Sequence, residues 1–146
     1  KIIDARRYPL DCCFSMFKQL FAQGQEFTYD LKDAGSYYNS YVNLMDHWNN
    51  VLPGKILTVS NEDVIDDLDG QVKRILNFIG LPFEENCISF HKTDRSVRTA
   101  SSDQVRQPIN KKGQGRWKPY ASHLIPLIDS LDSKLLNQDD LDLIRS

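Results

Sequence analysis

Arg7 and Ser15 lie eight residues apart in "IIDARRYPLDCCFSMFKQLF", on either side of Pro9. A guanidinium at the end of a strand-like run, a helix N-terminus with unpaired backbone amides, and a hydroxyl two turns on can together hold an anion such as a phosphate. The same residues also allow a plainer arrangement, in which Arg7 pairs with Asp11 at the surface and Ser15 is solvated; such pairs contribute at most about 1 kcal/mol. A second cationic group, Lys111, Lys112 and Arg116, sits in "KKGQGRWKPY" among the glycines Gly113 and Gly115. A flexible glycine-containing loop of this charge suits closure over phosphates, with a solvated charge run as the alternative. His47 and His91 have the chemistry of general bases, but both read as structural, His47 because it adjoins Trp48 on an apolar-looking helix. Cys12, Cys13 and Cys87 read as packing residues, and so does Trp117.

The elements that must position these groups alternate between strand and helix. Ile2, Ile3 and Ala5 form a short β-like run over 2–6, and Pro9 sits at a favoured first helical position. Behind it Leu10, Cys13, Phe14, Phe17, Leu20 and Phe21 recur at helical spacing, which predicts a helix over 9–22. Leu31, Ala34, Tyr38, Tyr41, Met45, Trp48 and Leu52 predict a long, well-buried helix over 30–52, stopped by "LPG". "KILTVS" predicts a second strand over 55–60, parallel to the first because the connection runs through helices. Val72, Ile75, Leu76 and Ile79 predict a helix over 70–79, closed by Gly80 and followed by Pro82. The segment from about His91 to Trp117 is polar, and "HLIPLIDSLDSKLL" predicts one or two short terminal helices. The fold class is therefore α/β, a small parallel sheet flanked by a majority of helices, in a single domain over 1–146.

Composition narrows the function. The chain has 146 residues, 40% hydrophobic and 26% charged, with a net charge of −2, which excludes a protein covered in basic nucleic-acid-binding surface and confines any anion site to a local pocket. Three cysteines, two of them adjacent, suit neither a disulfide framework nor a zinc knuckle and point to a reducing, cytoplasmic setting. No apolar run is long enough to span a bilayer.

The motifs, in order, resemble a known family. "RYPLDCCFS" is similar to the strand–helix motif of sulfotransferases. The ordered string "FTYDL…YY…HW…VLPGKILTV…ED…ILNFIGLPFEENCISFH…QVRQPIN…GRW" resembles bacterial sulfotransferases often fused to tetratricopeptide repeats, and more distantly the tyrosylprotein sulfotransferases. The resemblance implies a P-loop-NTPase-like sulfotransferase fold and transfer of a sulfuryl group from 3′-phosphoadenosine 5′-phosphosulfate (PAPS) to a hydroxyl or amine acceptor, with no metal. It implies that Arg7 and Ser15 hold the 3′-phosphate, that Ser101 in "TASSDQVRQPIN" contacts the nucleotide from a covering loop, and that Lys111, Lys112 and Arg116 face the phosphates.

Departures from the family pattern are local. Asn61 stands in "SNED" where the family usually has a tyrosine near the adenine, Tyr8 precedes Pro9 in place of Asp or Asn, and Arg6 replaces an apolar or small residue. No "GxxxxGK[ST]" occurs in the chain. The expectation is therefore an incomplete domain: the C-terminal portion of a sulfotransferase without its phosphosulfate-binding loop or catalytic base. It would supply the 3′-phosphate site and would be inactive alone, and it would tend to self-associate through an exposed edge. The alternative is a non-catalytic nucleotide-binding or interaction domain derived from the same fold.

Overall fold

In the computed structural model, which describes residues 1–92 and 105–145, the elements run β1 (Ile2–Arg6), α1 (Pro9–Lys18), α2 (Leu31–Val51), β2 (Ile56–Ser60), α3 (Asn61–Asp66), α4 (Leu68–Ile79), α5 (Ile125–Ser130) and α6 (Gln138–Arg145), with short 3-10 turns between them. They fall into two compact units, one of residues 1–6 and 55–112, the other of 7–54 and 113–146.

In the first unit β1 and β2 pair in parallel, Ile2 opposite Ile56 through Arg6 opposite Ser60. These are the strands the sequence predicts. Asp4 lies in the middle of β1, buried, where a carboxylate is costly unless its oxygens are bonded. Arg6 supplies that bond at 2.8 Å, and the Thr58 hydroxyl, opposite on β2, donates to the same oxygen at 3.2 Å. This partnership accounts for an arginine at position 6. Ser60 ends β2 and caps α3, its hydroxyl oxygen accepting from the Glu62 and Asp63 amides at 3.2 and 3.3 Å. "SNED" is thus the start of a helix, with its acids in the first turn, where the dipole favours them. α4 starts at Leu68, capped by Asp67, and ends at Gly80, whose φ of 82° permits the Schellman bond from Leu81 N–H to Leu76 C=O at 3.0 Å. Arg74 ties α4 to β2 by donating to the Thr58 carbonyl at 2.7 Å.

The second unit is a helical core. α1 and α2 bury Leu10, Phe14, Ala34 and Tyr38 with Trp117, Leu124 and Leu127. Gly35 is the point of closest approach: a Cβ there would overlap the Ser130 hydroxyl and press on Leu127. Asn39 fastens the same contact, donating to the Ser130 carbonyl at 2.7 Å and accepting from the Asp132 amide at 3.0 Å.

Two predicted helices are shorter or less buried than their periodicity suggests. α1 stops at Lys18, not at residue 22, and Leu20 is 82% exposed. The Tyr29 hydroxyl binds both the amide and the carbonyl of Phe21, taking the backbone groups a further turn would use. α2 spans nearly the predicted range, but only Ala34, Gly35, Tyr38 and Val42 are fully buried. Leu44, Trp48, Val51 and Leu52 are exposed, and His47 with them, edge-on to Trp48 at 5.2 Å.

Candidate functional site

The site builds outward from the turn that follows β1. Tyr8 occupies the N-cap of α1 without capping it. Pro9 has no amide to satisfy, so the first-turn amides of Leu10 and Asp11 have no side-chain cap. The Tyr8 hydroxyl reaches elsewhere, donating to Asp140 at 2.6 Å and accepting from the Asn137 amide at 3.2 Å. Burial, and then the hydrogen bond to Asp140, push this phenol well above its ordinary pKa near 10.

That shift has a measurable sign. Above pH 10 the unfolded phenol ionises while the folded one keeps its proton, so the stabilisation from Tyr8 is complete below pH 10 and declines above it. One proton gives a slope of about 1.4 kcal/mol per pH unit. Urea unfolding of wild type and Tyr8→Phe at about pH 8 and about pH 11 is expected to show the wild-type advantage shrinking at the higher pH. An unchanged gap would contradict it.

Arg7 and Asp11 do not pair with each other, contrary to the plainer reading of their spacing. Each binds the loop after residue 112 instead. Arg7 Nη2 donates to the Gly113 carbonyl at 2.6 Å, and the Gly115 amide donates to Asp11 Oδ2 at 3.0 Å. The Arg7 carbonyl accepts from the Tyr38 hydroxyl at 2.6 Å. Arg7 Nε and Asp11 Oδ1 are buried with no hydrogen-bond partner among the described residues. Gly115 has φ of 68°, which a residue with a Cβ adopts only under strain, and its carbonyl accepts from the Lys118 amide at 3.1 Å as the chain enters the turn that buries Trp117.

The other expected site residues are placed less tightly. Ser15 is exposed on α1 and its hydroxyl makes no hydrogen bond among the described residues. Arg116 is exposed. Lys111 pairs with Asp66 at 2.5 Å, both side chains more than half exposed, a contact of low energy that is easily exchanged. Lys112 is exposed, with its amide donating to Asn110 at 3.1 Å. Ser101 lies outside the described residues. Cys13 is fully buried and its thiol, pushed up by desolvation, approaches the Ala34 carbonyl at 3.7 Å. Cys87 is exposed, so it is not the packing residue its type suggests. His91 is half-buried beside Phe90. Sequence reasoning missed Asp11 and Tyr38 as partners of the site. The only early signal for Asp11 was an acid in the first turn of a helix that faces a glycine pair two residues apart.

A profile of the sulfotransferase family matches residues 1–85, more than half of the chain. The chain belongs to the sulfotransferase family. An uncharacterized protein of Aquifex aeolicus is 30% identical over 143 residues, which is 96% of this chain and 19% of that protein. The sulfotransferase chain thus spans about a fifth of the relative it matches. The family match includes Arg7, Asp11 and Ser15. Among the described residues no group of three or more His, Cys, Asp or Glu could hold a metal ion, and no helix is long and apolar enough to cross a membrane.

Proposed function

We propose that this chain is the C-terminal part of a PAPS-dependent sulfotransferase domain, of the bacterial repeat-associated type, acting in the cytoplasm. The donor carries the sulfuryl group, and the acceptor's oxygen or nitrogen attacks sulfur as the bond to the 5′-phosphate breaks, releasing adenosine 3′,5′-bisphosphate. The chain's contribution is the 3′-phosphate site. Arg7 supplies the cation, the uncapped first turn of α1 supplies amides and a favourable dipole, and Ser15 supplies a hydroxyl. The family resemblance further assigns Ser101 a contact to the nucleotide and Lys111, Lys112 and Arg116 contacts to its phosphates. The observation that carries this reading is Arg7 beside a helix N-terminus without a side-chain cap, its buried Nε with no hydrogen-bond partner among the described residues.

The chain is expected to bind adenosine 3′,5′-bisphosphate about tenfold more tightly than adenosine 5′-monophosphate. That is the lower end of what a charge-assisted bond contributes, because the site for the 5′-phosphosulfate is not among these residues. Calorimetric titration of both nucleotides checks it. Arg7→Ala abolishes the preference, whereas Lys18→Ala, at the exposed end of α1 with its ammonium over the Phe14 ring, leaves it intact. Equal affinities in wild type would refute the 3′-phosphate site.

A further inference from the structure

Asp11 is an expensive residue to keep where it is. It is 4% exposed, and among the described residues one of its oxygens has a single partner, the Gly115 amide, and the other is buried with none. A carboxylate so placed costs stability, and no Arg7 ion pair offsets it. What the carboxylate holds is a turn. Downstream of Gly115 the chain is anchored by the buried Trp117, and at Gly115 it is anchored by Asp11. The Gly113 carbonyl, two residues upstream, is held by that anchorage, and it receives Arg7 Nη2 at 2.6 Å. The Tyr38 hydroxyl meanwhile fixes the Arg7 backbone.

We infer that Asp11 is a positioning residue for Arg7, acting through the Gly113–Gly115 turn, and that it sets the selectivity of this site for a 3′-phosphorylated nucleotide. The inference rests on the 3′-phosphate reading proposed above. A guanidinium meets a phosphate best when its plane is already fixed, since an unheld arginine side chain must be ordered at the moment of binding. Asp11 needs only an acceptor oxygen for this task, not a charge, so an asparagine amide oxygen can replace it.

The test is calorimetric titration of adenosine 3′,5′-bisphosphate and adenosine 5′-monophosphate against wild type, Asp11→Ala and Asp11→Asn, with a thermal melt of each variant. Asp11→Ala is expected to weaken bisphosphate binding about five- to tenfold, the cost of one unordered long side chain, and to leave monophosphate binding unchanged. Asp11→Asn is expected to stay within about twofold of wild type, because the acceptor for the Gly115 amide is kept. Unchanged bisphosphate binding in Asp11→Ala, an equal loss for both nucleotides, or a loss in Asp11→Asn as large as in Asp11→Ala overturns the inference. If Asp11→Ala does not fold, Asp11→Asn decides alone: bisphosphate binding within twofold supports the inference, and a larger loss overturns it. A wild type that binds both nucleotides equally defeats the 3′-phosphate reading itself and this inference with it, whereas a wild-type preference that survives in Asp11→Ala defeats the inference only.

Discussion

Replacing Trp117 with alanine is expected to destabilise the chain by about 3–5 kcal/mol, the range for removing a buried tryptophan from a packed core. Trp117 is 1% exposed and is the largest fully buried side chain among the described residues. It shares the core with Leu10, Phe14 and Leu127, so its loss leaves a cavity bordered by α1 and α5, elements that cannot both move in to fill it. Set against a typical total stability of about 5–15 kcal/mol, that loss brings the chain close to unfolding at ordinary temperatures. Urea titration followed by tyrosine fluorescence checks it through the midpoint, with the slope expected to be unchanged. A loss below about 1 kcal/mol would mean that the core collapses around the site, against the packing described here.

The second large effect is expected at Gly35, where Gly35→Val should destabilise by about 3 kcal/mol, the upper end for overpacking. The first added carbon overlaps the Ser130 hydroxyl and presses on Leu127. The serine can rotate away only by giving up its bond to the Leu127 carbonyl, 2.7 Å long, while the Leu127 carbonyl itself belongs to α5 and cannot yield. Valine's better helix propensity returns only a few tenths of a kcal/mol. In a Ser130→Ala background the worst overlap is gone, so the same substitution should cost about 1 kcal/mol less. Additive effects of the two changes in thermal unfolding would show that the serine is not the obstacle.

The regular elements were legible because short-range rules govern them. Strand runs with β-branched residues appear where β1 and β2 form, and their parallel pairing follows from a connection too long for a hairpin. Gly80 ends α4 as a left-handed cap must, and Pro53 with Gly54 stops α2. Periodicity over-read the helices at their far ends. Leu20 and Trp48 continue an apolar spacing, yet spacing records which side chains share a face and not whether anything covers that face.

The family string also spoke early, since the matched residues 1–85 contain the Arg7–Ser15 motif. Sequence by itself therefore determined the strands, the principal helices and the family. Only the tertiary structure decided what Arg7 and Asp11 bind. Read along the chain, the two are four positions apart and of opposite charge, which suggests a pair. In the fold, a glycine turn more than 100 residues later brings a carbonyl to one and an amide to the other. Backbone groups are present at every residue and leave no mark in the sequence, so charged side chains that bind backbone, as Arg7 and Asp11 do, show their partners only when the loop is folded against them.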